Sequence, residues 1–212
     1  MTPKQTYHKI QADTILKNLE KRQITGYYCA QKEEAVKTAM SFIKTGTSVS
    51  FGGSMTLAES GAIDALKNRT DIHLIDRSLA KSPEEVKQIY RDSFSADTYF
   101  MSSNAITLDG ELVNIDGNGN RVAALIYGPD QVIILAGMNK IVPAVDDAIR
   151  RVRNFATPPN CIRLNKQTPC AVTGVCADCL SNDCICNQIV ITRRSGTPGR
   201  IKVILIGEEL GY

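Results

Sequence analysis

Apolar positions along the chain switch repeatedly between the 3.6-residue spacing of a helix and the runs of a strand, and glycine or proline marks most of the switches. Thr2-Pro3-Lys4-Gln5 predicts a helix start, with Thr2 as N-cap, proline in the first turn and Gln5 closing a capping box. Ile10, Ile15, Leu16 and Leu19 then form one stripe, so the helix is expected to pack across a sheet or against a second subunit. Gly26 to Ala30 predicts a strand, Glu33 to Ile43 a helix capped by Gly46, and Ser48 to Phe51 a strand that runs into Gly52-Gly53-Ser54. A helix over Met55 to Leu66 and a strand over Ile72 to Asp76 follow. Ser82-Pro83-x-Glu85 then announces another helix. Thr98 to Ser102 and Gln131 to Ala136 predict two more strands, the second apolar enough to be covered on both faces.

This alternation predicts an α/β fold, a mainly parallel sheet with helices on both sides. Two segments depart from the rhythm. Asp109-Gly110, between Thr107-Leu108 and Glu111 to Asn114, is a hairpin signal. Ile189 to Thr192 and Ile201 to Ile206 flank the turn Ser195 to Gly199 and predict an antiparallel C-terminal hairpin added to the sheet edge. The 212 residues suit one domain, residues 1–212, with the N-terminal helix (residues 3–22) and a cysteine-rich loop (residues 161–187) as appendages.

Composition removes several function classes. The chain carries 25 Lys and Arg against 22 acidic residues, a net charge of +3, too mild and too dispersed to point to nucleic acid. The densest basic run, Arg150-Arg151-Val152-Arg153, falls near the end of an expected helix, where cations complement the helix dipole. No apolar run approaches the roughly 18 residues of a membrane span, and the first residues carry no signal-like stretch, so no membrane role and a cytoplasmic location are expected.

Candidate chemistry gathers at two glycine turns. In Gly52-Gly53-Ser54 the absent side chains let backbone approach a ligand, and amides at the following helix start attract a phosphate or carboxylate. The alternative is a plain turn with Ser54 or Thr56 as N-cap, where Thr56 and Glu59 form a capping box. The second turn, Asp116-Gly117-Asn118-Gly119-Asn120-Arg121, precedes an apolar helix over Val122 to Tyr127. Turn geometry explains its Asn and Gly residues, but Arg121 at a helix start opposes the dipole and requires an anionic partner. That partner is either Asp116 or a bound carboxylate or phosphate. Glu111, beside the hairpin turn, is a candidate base or nucleophile, or else an exposed hairpin residue. His8 and His73 are expected to be structural.

Six of the seven cysteines lie between Cys161 and Cys186, in a segment with little apolar content. In a reducing compartment they suit thiols or metal ligands better than disulfides. Cys176 and Cys179 form the chelating pair, with Cys170 and Cys186 as completing ligands and Cys184 as the alternative to either. Zinc, an iron–sulfur cluster and metal-free thiols all remain open, since the spacing matches neither a zinc finger nor a ferredoxin run.

Three segments are familiar together. Phe51-Gly52-Gly53-Ser54-Met55-Thr56-Leu57, the long stretch from Ser103-Asn104-Ala105 to Asn120-Arg121-Val122, and Ala136-Gly137-x-Asn139-Lys140-Ile141-Val142 resemble the LUD (lactate utilization) domain family. Thr168-Pro169-Cys170 and the closing Gly207-Glu208-Glu209-Leu210-Gly211-Tyr212 share the resemblance, which covers nearly the whole chain. It implies a fold like that of ribose-phosphate isomerases and CoA transferases, and a role in oxidising L-lactate to pyruvate beside iron–sulfur partner subunits. Polar residues within the motifs, Thr56, Asn104, Asn114 and Lys140, join Gly52, Gly53, Ser54, Asp116, Gly117, Gly119, Asn120 and Arg121 as candidate ligand-binding residues.

Three functions compete. The first is an accessory or ligand-binding subunit in 2-hydroxy-acid oxidation that takes a small anion such as a phosphate, a carboxylate or a CoA-like group. The second is an isomerase or acyl-CoA-transferase-like enzyme using Glu111 or Glu59, and the third a metal-binding interaction module. A homodimer joined through the first helix is a further expectation.

Overall fold

The computed structural model describes residues 1–212. Strands are β1 (Thr25–Cys29), β2 (Ser48–Phe51), β3 (His73–Ile75), β4 (Thr98–Met101), β5 (Ala105–Thr107), β6 (Leu112–Asp116), β7 (Gln131–Gly137), β8 (Ile141–Val142), β9 (Gln188–Thr192) and β10 (Ile201–Ile206). Helices are α1 (Pro3–Lys21), α2 (Lys32–Ser41), α3 (Met55–Glu59), α4 (Ala62–Lys67), α5 (Pro83–Asp92), α6 (Asn120–Ile126), α7 (Val145–Arg151), α8 (Thr157–Arg163) and α9 (Pro169–Thr173), and a π-helical turn over Val152–Ala156 joins α7 to α8.

The main sheet has the order β1-β10-β7-β4-β2-β3, and every neighbouring pair is parallel. Its central strands show why a buried parallel strand reads as an unbroken apolar run. In β7, Val132, Ile134 and Ala136 enter one core cluster while Ile133 and Leu135 enter the cluster on the opposite face. The first cluster is closed by α1, α6 and residues of a second sheet; the other is closed by α2, α3 and α4. The fold is thus α/β, a largely parallel sheet flanked by helices.

The second sheet has the order β8-β5-β6-β9. The expected hairpin is present as the antiparallel pair β5–β6, and Gly110 takes φ +86° at its turn. Ile106 and Leu112 face the main core, while Ala105, Val113 and Ile115 pack under α7 and the π turn. This second layer carries the Asp116–Arg121 turn over the C-terminal ends of the main strands.

The C-terminal strands exist, but they do not pair with each other. β10 lies inside the main sheet, parallel to both β1 and β7, while β9 runs antiparallel to β6 in the second sheet. The physical reason lies in their faces. Five of the six residues of β10 are buried, which no edge strand could sustain, whereas β9 has no buried residue.

The helix expected over Met55 to Leu66 is two helices, broken at Ser60-Gly61, where Gly61 takes φ +83°. The capping box of Thr2 and Gln5 forms as expected. Ala12, Ile15 and Leu19 of α1 are fully buried in the main core, while Ile10 is exposed, so the helix finds its cover within the same chain. No helix is long and apolar enough to cross a membrane.

Candidate functional site

A cavity of about 430 Å³ opens where the loops after β2, β3, β4 and β7 meet the Asp116–Arg121 turn. The C-terminal ends of parallel strands are where open α/β sheets place ligands, because successive loops diverge there and leave a crevice. The opposite wall comes from the π turn and α8 through Val152, Ala156, Thr157, Asn160 and Arg163, and from Lys166 and Ile185 of the cysteine-rich loop. Of the residues singled out in the sequence, Gly53, Ser54, Thr56, Asn104, Asp116, Gly117, Asn120, Arg121 and Lys140 line this one cavity. Gly52, Asn114 and Gly119 support it from behind.

Lys140, in the 3-10 turn after β7, is 3% exposed. Its Nζ donates to Thr56 Oγ1 at 2.7 Å and to Ser102 Oγ at 3.1 Å, and no carboxylate pairs with it. Burial pushes its ammonium down to about 7, helped by the positive charges of Arg151 and Arg121, while Glu59 opposes the shift. The amine therefore exchanges its proton near neutrality.

Arg121 resolves the alternative left by the sequence in favour of a protein partner. Its Nε pairs with Asp116 Oδ2 at 3.1 Å. Nη1 donates to Asn114 Oδ1 and the Ser102 carbonyl, and Nη2 to Asn104 Oδ1 and the Ile115 carbonyl. All five N–H donors are thereby used within the fold. Asp116 accepts from the Gly119 amide through its other oxygen, so the turn, the loop after β4 and the end of β6 are tied at one guanidinium.

Arg77, which sequence reasoning missed, supplies a freer cation. It follows β3, donates through Nη1 to Tyr90 Oη at 2.9 Å and stacks 5.8 Å from that ring. Its Nη2 lies only 2.4 Å from where a Cβ on Gly53 would sit, so the glycine admits the guanidinium against the turn. Ser54, not Thr56, caps α3 by accepting from the Leu57 amide. The Thr56 hydroxyl instead accepts from Lys140 and donates to the Leu210 carbonyl. Arg151 was also missed in this role. Although it lies in the last turn of α7, its guanidinium turns inward to the carbonyls of Asn139 and Asn104. Position after a parallel strand is shared by Arg77, Ser102 and Lys140, but by itself it does not single out which side chain will turn into the cavity.

The two carboxylates proposed for catalysis lie outside the cavity lining. Glu111 pairs with Arg22 at 2.9 Å and accepts from Thr107 Oγ1 at 2.6 Å, fastening the end of α1 to the hairpin. Glu59 accepts from the Gly211 amide at 2.6 Å and so holds the C-terminal tail. We expect Glu111→Gln to leave ligand affinity at the cavity unchanged while lowering stability by about 1 kcal/mol, the upper end of the scale for ion pairs that keep some contact with water. Urea unfolding and calorimetric titration on the same sample would check both; a tenfold loss of affinity would place Glu111 in the site after all.

The metal expectation is corrected. No group of three or more His, Cys, Asp or Glu side chains is arranged to hold a metal ion, so neither zinc nor an iron–sulfur cluster sits on Cys170, Cys176, Cys179 and Cys186, or on Cys184 in place of one. The sulfurs do not gather into such a group. Cys170 faces Cys161 at 3.8 Å, Cys186 faces Thr157, and Cys179 faces Ser181. Cys176 and Cys184 accept amides of their own turns. Burial raises Cys186 and favours its thiol, whereas hydrogen bonds from the Ser181 hydroxyl and amide lower Cys179, so it is the arrangement of the sulfurs, and not their acidity, that leaves no metal site. Order in this loop comes instead from Asp183, which accepts from the Gln167 amide, and from Asn187, which donates to the Gly117 carbonyl.

Residues 12–206 match the LUD domain model. The chain belongs to the LUD-domain family. The solved structure of a DUF162-family protein from Deinococcus radiodurans is similar over 95% of this chain and 98% of that one, at 13% identity and a TM-score of 0.50, and shows the same fold. Weaker and partial likenesses include eIF2B delta from Chaetomium thermophilum, at 17% identity over 57% of this chain and 51% of that one with a TM-score of 0.38. D-ribose-5-phosphate isomerase in complex with phospho-erythronic acid is similar at 14% identity over 64% of this chain and 66% of that one, with a TM-score of 0.35. Comparison with curated proteins found no significant match.

Proposed function

We propose that this LUD-domain protein binds a small organic carboxylate in the cavity after the parallel strands, and serves as the ligand-binding subunit of a 2-hydroxy-acid oxidation system, L-lactate being the substrate its family name suggests. The observation that carries this reading is a charge imbalance. Arg77, Lys140 and Arg163 line the cavity with no carboxylate partner, and the lone lining carboxylate, Asp116, is already engaged by Arg121. Uncompensated cations in a concave, partly desolvated site favour an anion, since each charge-assisted hydrogen bond contributes more there than in open water. A volume of about 430 Å³ suits a small molecule. Electrons in such an oxidation would pass to iron–sulfur partner subunits.

Titration calorimetry with L-lactate, pyruvate and inorganic phosphate tests the reading. Binding of a carboxylate is expected, and Arg77→Met should weaken it at least tenfold, the scale of one lost charged hydrogen bond. Absence of heat with every carboxylate, or an Arg77→Met variant with unchanged affinity, would count against the cavity as the binding site.

A further inference from the structure

We infer that Lys140 Nζ captures the carbonyl carbon of a 2-oxo acid as an imine, with the cavity's cations holding the carboxylate; this rests on the cavity being a carboxylate site. Of the two lysines that line the anion-accepting crevice, Lys140 alone has no carboxylate partner, Lys166 being paired with Asp183. Lys140 lines the cavity, held by two hydroxyls and by no carboxylate. A lysine in an ion pair is a protonated, inert cation. Lys140 is bonded only to hydroxyls and faces two permanently charged guanidiniums, and the one carboxylate that acts on it, Glu59, does so without pairing, so it can present its lone pair. Arg151 lies close enough to matter, its guanidinium fixed on the Asn139 carbonyl one residue from Lys140. Burial and these neighbouring charges bring the ammonium to about 7, which leaves a large share of free amine near neutral pH.

The step balances within the site. The amine lone pair adds to C2 of the 2-oxo acid, and the carbonyl oxygen takes up a proton to give a carbinolamine. Loss of that oxygen as water, with the proton from nitrogen, leaves the C=N bond. Ser102, whose hydroxyl accepts from Lys140 and donates to the Ser103 carbonyl, stands where it can pass the proton between nitrogen and oxygen. The Thr56 hydroxyl donates to the Leu210 carbonyl and keeps its lone pair on Nζ, which orients the amine. No redox change occurs, so no oxidant or reductant is required. A 2-hydroxy acid lacks the carbonyl and would bind without reacting, so the site would distinguish the two ends of an L-lactate oxidation chemically.

Trapping on the full-length protein decides the matter. Pyruvate with sodium borohydride should give one reduced adduct per chain by intact mass, and the tryptic map should place it on Lys140 through a missed cleavage there. L-lactate with the same reductant should give none. Lys140→Arg should bring the adduct to background, and the map of the wild-type protein answers the question even if that variant does not fold. Pyruvate binding by calorimetry without an adduct, or an adduct spread over surface lysines, overturns the imine and leaves the binding site intact. No pyruvate binding at all overturns both.

Discussion

Replacing Arg121 with methionine is expected to destabilise the protein by about 3–5 kcal/mol, the scale of removing one partner from a buried ion pair. The side chain is 13% exposed, and its partner Asp116 is 8% exposed. Methionine would fill much of the space but remove the donors of Asp116 Oδ2 and of the Ser102 and Ile115 carbonyls, while the Asn114 and Asn104 oxygens would each keep only a main-chain amide. Each unsatisfied buried acceptor carries a desolvation cost of its own. Lysine should recover only part of the loss, because a point ammonium cannot reproduce the planar fork that reaches both asparagines. Urea unfolding of the wild type, Arg121→Met and Arg121→Lys would show this order. A methionine variant within 1 kcal/mol of wild type would mean the network is not what fixes the turn.

The second large effect belongs to Lys140→Met and depends on pH. In the folded protein the ammonium is pushed down to about 7 from 10.5 by burial first and by Arg151 and Arg121 next. Below about pH 7 both folded and unfolded chains hold this proton, so the burial penalty is present in full. Between about 7 and 10.5 the unfolded chain holds a proton that the folded chain has released, so stability rises with pH across that window. Methionine has no such dependence. The variant should therefore be the more stable protein at pH 6, and its advantage should shrink by roughly 1.4 kcal/mol per pH unit as pH climbs towards 9. Unfolding curves at pH 6, 7.5 and 9 would test this, and parallel stability profiles for the two proteins would show that Lys140 does not titrate in this range.

The frame of this fold is readable from residue pattern because buried parallel strands leave an unmistakable run, as Gln131 to Ala136 does. Caps are equally plain, since Thr2 with Gln5 and Ser82 with Glu85 depend on neighbours three residues apart. Pairing is another matter. Ile189 to Thr192 and Ile201 to Ile206 look like the arms of a hairpin because sequence neighbours usually pair, yet the deciding fact is two-sided burial of β10 between strands far away in the chain. The same split runs through the site. Lys140, Asn104, Asp116 and the glycine turns converge on one cavity, and their motifs marked them together. Arg77 was invisible because nothing local distinguishes a cation that will swing over a glycine from another strand's loop. Glu111 misled for the converse reason. Its partner Arg22 lies 89 residues away, and no local pattern announces a salt bridge at that range. The cysteines misled because spacing gives proximity along the chain but says nothing of the directions in which the sulfurs point.

The place of β10 also governs how the chain can come to be folded. Thr25 is paired with Lys202, and Ile201 with Val132, so the sheet interior is completed by the last of the domain's strands to be made. Until then β1 and β7 have no strand between them, and each offers an open apolar edge to any neighbouring chain. Such long-range closure favours slow folding and a transient need for protection during synthesis. The cavity shares this dependence, because the tail that follows β10 supplies the Leu210 carbonyl against which Thr56, and through it Lys140, is held. The ligand site can therefore form only as the sheet closes, so that ligand binding would report completed folding in one step.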